Sequence, residues 1–89
     1  MTTSEPRPGE RIVDVRVDDN LLTVDLADGR TISVPLVWFP RLVDATPAQR
    51  HNWQLAGGGF GIHWPDIDED LSSAGLLRGA PAARRSGAA

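Results

Sequence analysis

One stretch, Gly57-Gly58-Gly59-Phe60-Gly61-Ile62-His63-Trp64-Pro65-Asp66-Ile67-Asp68-Glu69-Asp70, packs a glycine run, an aromatic strand, a histidine and four carboxylates into fourteen residues. Three kinds of chemistry use such residue types. A glycine run can wrap an anion in backbone amides, clustered carboxylates can hold a hard cation, and an imidazole beside a carboxylate can move a proton.

Each of these has to be weighed against a purely structural use. A phosphate cradle needs a strand before the glycines and a helix after them, so that amides and helix dipole converge on the anion. Here the residues after the run, Phe60 to Trp64, read as a strand, and a glycine-permissive turn is the better account. The Asp66-x-Asp68-x-Asp70 spacing imitates the start of a calcium loop. Leu71 then stands where that loop needs glycine and Leu77 where it needs a bidentate glutamate, so the pattern is broken. Asp66, Asp68, Glu69 and Asp70 read instead as carboxylates that solvate a turn, with Asp70 near the positive end of a following helix, or as an acidic patch that meets arginines on a protein partner. His63 with Asp66 or Asp68 has the residue types of a general acid/base pair. On a strand, however, His63 points away from Ile62 and Trp64, toward solvent rather than into a pocket. His51 has no evident partner.

The elements that must position these residues follow from periodicity. Val13, Val15 and Val17 alternate with Ile12, Asp14 and Arg16, and Leu22, Val24 and Leu26 with Leu21, Thr23 and Asp25, which predicts two half-buried strands broken at Asp18-Asp19-Asn20. Asp28-Gly29 is a two-residue hairpin signal leading into Arg30 to Val34, closed by Pro35. A short helix is expected from Pro40 through Val43. Thr46-Pro47-Ala48-Gln49 fits a capping box opening a second helix that ends near Trp53. Leu55-Ala56 and Phe60 to Trp64 predict a second hairpin across the glycines, and Ser72 caps a last short helix that Gly79 ends. The expected fold class is α+β: a small antiparallel sheet, made of a three-stranded meander plus a second hairpin, with two or three short helices.

Composition sets further bounds. The 89 residues suffice for one domain with a thin core. Residues 1–10 and 80–89 carry Pro, Gly, Ala and Arg without apolar periodicity and are expected to be disordered, leaving a single domain at 11–79. The chain has no cysteine, hence no disulfide, thiolate ligand or cysteine nucleophile. No apolar run approaches the roughly 18 residues of a membrane span, and the polar start lacks a secretory apolar region, so a cytoplasmic location is expected. From Arg11 to Arg78, six arginines face ten carboxylates, a net charge of −4, while Arg84 and Arg85 make the tail basic. An acidic domain is a poor binder of nucleic-acid backbone, and the tail pair adds only a weak, salt-sensitive contribution.

All five aromatic residues, Trp38, Phe39, Trp53, Phe60 and Trp64, lie between the third strand and the acidic turn. In so small a domain most serve the core. Trp64, beside the acidic turn, is the one favoured as a partly exposed binding residue.

Leu36 through Pro40-Arg41-Leu42, Ala45-Thr46-Pro47-Ala48-Gln49-Arg50, and Gly61-Ile62-His63-Trp64-Pro65-Asp66-Ile67-Asp68-Glu69-Asp70-Leu71-Ser72 with Gly75-Leu76-Leu77 resemble the bacterial family called domain of unknown function 2442. The resemblance covers nearly all of 11–79. It implies a compact antiparallel sheet with short helices, in small bacterial proteins often encoded beside a second small protein, pairs that look like toxin and antitoxin, with this chain on the antitoxin side. Some relatives carry an added helix-turn-helix. Here only a short tail follows Gly79, so operator binding is expected to come from a partner. The resemblance brings no catalytic or ligand residues with it.

The expectation is therefore a non-enzymatic protein-interaction module with no cofactor and no metal, binding a small protein through Trp64, Asp66, Asp68, Glu69 and Asp70, with a homodimer allowed by an exposed strand edge. The alternative is a small-ligand or divalent-metal-binding domain using the turn from His63 to Asp70.

Overall fold

A computed structural model describes residues 7–79. Two three-stranded antiparallel sheets, each with its strands in sequence order, are joined by short helices, so the α+β class is as expected. The first sheet holds β1 (Ile12–Val17), β2 (Leu21–Leu26) and β3 (Thr31–Pro35); the second holds β4 (Gln54–Ala56), β5 (Gly61–Trp64) and β6 (Glu69–Ser72). Between them lie α1 (Pro40–Val43) and α2 (Pro47–His51), and α3 (Ser73–Arg78) closes the described chain.

The first meander follows its apolar alternation except at one place. Leu22, Val24 and Leu26 are buried, yet on β1 the buried residues are Ile12 and Val15, while Val13 is exposed. The register explains this: Ile12 pairs with Leu26 and Asp14 with Asp25, so Val13 is an extra residue, a β-bulge. The bulge turns Ile12 into the core and puts Val13 outside, reversing the face expected for both.

Both connections are built from aspartate. The Asp18 carboxylate accepts the backbone N–H of Asn20 and of Leu21, each at 2.7 Å. In the second connection Leu26 N–H donates to the Arg30 carbonyl at 2.8 Å, Gly29 N–H to the Leu26 carbonyl at 3.0 Å, and the Asp28 carboxylate accepts the Arg30 N–H at 3.0 Å. Gly29 sits at φ 96°. This is a three-residue loop ending in a left-handed glycine rather than the two-residue turn the Asp-Gly pair predicts. The folded chain also starts before the expected boundary at 11. Pro8–Glu10 forms a 3-10 turn whose Gly9 carbonyl accepts the Asp28 N–H. Arg84, Arg85 and the rest of the expected disordered ends at 1–6 and 80–89 lie outside the described residues.

The short helices are set by their caps. In the Thr46 box the hydroxyl accepts the Gln49 N–H at 3.1 Å and the Gln49 side chain accepts the Thr46 N–H at 2.9 Å, with Pro47 in the first turn. The helix stops at His51, two residues short of Trp53. The Ser72 hydroxyl accepts the Gly75 N–H at 3.0 Å and α3 ends at left-handed Gly79, as expected. The glycine run makes a tight turn in which Gly57, Gly58 and Gly59 all take positive φ, 60°, 72° and 98°, a conformation that side-chain-bearing residues rarely adopt even once, here required at three successive positions.

One core joins the two sheets. Leu22, Val24 and Val34 from the first meet Ile62 and Trp64 from the second, with Leu36, Phe39, Leu42 and Leu76 filling the space between. Among the described residues no helix is long and apolar enough to cross a membrane.

Candidate functional site

The stretch from His63 to Asp70 is not a single turn. Trp64 pairs with Glu69, His63 with Asp70, Ile62 with Leu71 and Gly61 with Ser72, so the acidic segment folds back as a third strand and only Pro65–Asp68 form the connection. Its charged residues hid this strand from the sequence, since Glu69 and Asp70 are poor strand formers. Asp68 closes the turn at φ 54°, a left-handed conformation that aspartate tolerates better than most side-chain-bearing residues.

Strand alternation then sorts the five expected binding residues. Trp64 and Glu69 form a cross-strand pair directed inward, and both are buried, Trp64 completely. Trp64 is therefore a core residue: its Nε1–H donates to the Arg50 carbonyl at 3.0 Å, satisfying the indole in the interior, and it is not available to a surface partner. Glu69 is likewise withdrawn from the surface. Asp66, Asp68 and Asp70 are exposed.

The backbone that carries these three carboxylates is fastened from outside the turn. Arg41 of α1 donates through Nη1 to the Asp68 carbonyl at 2.5 Å, and Asn52, at the end of α2, donates through Nδ2 to the Asp66 carboxylate at 3.0 Å. Neither anchor was identifiable from the sequence, because Arg41 and Asn52 lie far along the chain from the residues they hold. Asp70 is pinned by His63, whose Nδ1 lies 2.7 Å from its Oδ1. The imidazole thus pairs with Asp70, not with Asp66 or Asp68, and Asp70 belongs to a strand rather than to the start of α3.

With Nδ1 protonated, this contact orients the ring and leaves Nε2 with its lone pair, the arrangement of an acid/base pair. It stands on the open face of the second sheet in a row with Gln54, which pairs with His63 on the other side. Asp70 is 71% exposed there, so this geometry does not wall off a substrate from water. For a cation, the two groups supply two ligands; among the described residues no three His, Cys, Asp or Glu side chains come together in a way that could hold a metal ion. His51 does have a contact, its Nδ1 lying 2.8 Å from the Pro47 carbonyl, within its own helix.

The remaining charges of the first sheet are structural. On its outer face Arg16 meets Asp25 at 2.6 Å and Asp14 at 3.2 Å, and the Arg16 guanidinium, followed by the Thr31 hydroxyl, holds the Asp25 carboxyl below its ordinary range. Backbone N–H donors do the same for Asp18, and the Arg30 N–H for Asp28.

The described residues thus form a small α+β fold, a bulged meander and a second three-stranded sheet joined by capped short helices. A family model described as a protein of unknown function, DUF2442, matches residues 12–82, and the chain belongs to that family. Among solved structures, a protein of unknown function from Rhodospirillum rubrum is similar at 31% identity and a TM-score of 0.72, over 85% of this chain and 94% of that one. An uncharacterized protein from Chromobacterium violaceum shares the fold at 24% identity and a TM-score of 0.68, over 82% of this chain and 69% of that one. No curated protein matches the chain.

Proposed function

We propose that this chain is a non-enzymatic interaction module that binds a small protein through the acidic turn Pro65–Asp68 together with Asp70. The observation that carries the reading is that Asp66, Asp68 and Asp70 are exposed while their positions are fixed by Asn52, Arg41 and His63. A charged surface that is already ordered loses little conformational entropy on binding, and it favours partners with arginine or lysine in matching positions. Within that class, the finer reading is the antitoxin-like member of a two-gene bacterial pair. It is supported by the family resemblance and by the acidic balance of the domain, which suits a basic partner protein better than nucleic acid.

The test is a tagged pull-down from a bacterium that carries the gene, with mass spectrometry of what co-purifies in stoichiometric amount, followed by titration with variants Asp66→Asn, Asp68→Asn and Asp70→Asn. The triple variant is expected to bind the partner about tenfold or more weakly, chiefly through a slower and less salt-sensitive association. Unchanged affinity in a folded triple variant refutes the assignment of this surface. Expression of the partner alone, with and without this chain, then decides the antitoxin reading by whether growth stops only in its absence.

A further inference from the structure

Among the described residues, the four sheet edges are not treated alike. β1 carries the Val13 bulge and the charges of Asp14 and Arg16; β3 ends in Pro35 and is contacted by α3; β6 carries Glu69 and Asp70 and runs straight into α3. Bulges, charges, proline and covering helices are the devices that keep strand edges from pairing with another chain. β4 has none of them. Its residues Gln54, Leu55 and Ala56 are uncharged, and all three are exposed.

The apolar row across the second sheet ends on that edge. Leu71 pairs with Ile62 and Ile62 with Leu55, all three on the core side of the sheet, and Leu55 remains 42% exposed at the end of the row. From these observations we propose that β4 is a self-association edge, on which two copies of this chain pair antiparallel about a two-fold axis through Leu55 to give one continuous six-stranded sheet. The two-fold sets Leu55 beside Leu55 of the second copy, so the apolar row runs unbroken from Leu71 of one copy to Leu71 of the other. Gln54 then faces Ala56 of the second copy, and no like charges oppose each other. A second copy fits this edge better than an unrelated strand because the row that needs covering is completed by its own mirror sequence. The three-residue edge is small beside the roughly 1,200–2,000 Å² of a standard interface, so the dimer is weak and reversible. Because both copies carry a net charge of −3, added salt strengthens it by screening their repulsion. Pro65–Asp68 lies at one end of the β4–β5 ribbon, so the two-fold puts the two acidic turns at opposite ends of the paired strands, and self-association is independent of partner binding there.

The experiment is sedimentation equilibrium of the full chain up to about 1 mM protein, a range suited to weak association. The average mass is expected to rise from the monomer's 9.6 kDa toward twice that value, and to rise further in high salt. Leu55→Lys and Leu55→Glu, each first shown by circular dichroism to be folded, are expected to stay monomeric alone and to associate when mixed in equal amounts, since opposite charges then face across the axis. Should these variants fail to fold, the wild-type amide spectrum decides, with concentration-dependent shifts expected at Gln54, Leu55 and Ala56. A wild type that stays monomeric throughout, shifts that map away from β4, or a dimer that survives in both folded charge variants overturns the proposal; so does a β4 that shifts only when a different protein is added.

Discussion

The indole of Trp64 donates its Nε1–H to the main-chain carbonyl of Arg50 at 3.0 Å, so that the last residue of β5 and the last turn of α2 are locked together inside the core. The contact joins the second sheet to the helix that packs on β1, and it uses the one polar atom of a fully buried side chain. Trp64→Phe removes the donor but keeps most of the apolar bulk. The variant is expected to lose about 1–3 kcal/mol, the cost of leaving a buried carbonyl without its partner, and Trp64→Ala about 3–5 kcal/mol because a cavity is added. Urea unfolding followed by circular dichroism measures both; a Phe variant as stable as wild type would show that the indole N–H contributes nothing.

The same residue marks where the sequence stops being readable. Period-two alternation exposes β2 and β3 directly, because their buried and exposed faces differ residue by residue, and the Thr46 and Ser72 caps are local motifs that depend on neighbours within three positions. The inversion of Ile12 and Val13 is invisible, since both are β-branched aliphatics and only the register with β2 decides which one turns inward. β6 is hidden for the opposite reason. Its Glu69-Asp70 pair reads as a solvated turn, and only pairing with Trp64 and His63 makes it a strand. Of the expected binding surface, the three aspartates lie where they were expected to, at the surface, whereas the inward direction of Trp64 and Glu69 depends on a cross-strand partner that spacing alone does not reveal.

Arg50 and Asp19 form an ion pair whose two ends live in different surroundings. At 2.7 Å the pair joins an arginine side chain that is 9% exposed to a carboxylate that is 90% exposed. Arg50 also donates through Nε to the Leu42 carbonyl at 2.9 Å and through Nη2 to the Val43 carbonyl at 3.1 Å, so its guanidinium ties α2 to the end of α1 as well as to the first turn. Removing one partner is therefore not equivalent to removing the other. Arg50→Met is expected to destabilise by about 3 kcal/mol, because carbonyls that had a charged donor lose it. Asp19→Ala is expected to cost less than about 1 kcal/mol, as an exposed ion-pair member does. Chemical denaturation of the two variants in parallel checks the asymmetry, and equal losses would show that the ion pair, not the backbone bonds, is what Arg50 supplies.

Acid removes a stabilisation that three carboxylates of the first meander supply. Asp25, bonded by Arg16 and Thr31, Asp18, bonded by the Asn20 and Leu21 amides, and Asp28, bonded by the Arg30 amide, all have folded-state carboxyl pKa values below the ordinary 3.8. The unfolded chain consequently binds more protons than the folded one between the two values, and stability rises with pH through that window. Their contribution is fully present above the unfolded value, from about pH 5 upward, and is lost as pH falls below about 4 through the folded values. The melting temperature is expected to be flat with respect to these groups from neutral pH down to about pH 5 and then to fall. Asp25→Asn is expected to melt lower than wild type at neutral pH, with the gap narrowing as the pH approaches 2, where the wild-type carboxylate is neutralised as well. A gap between the two proteins that stays constant from neutral pH to acid would show that the Arg16 and Thr31 contacts do not depend on the charge of Asp25.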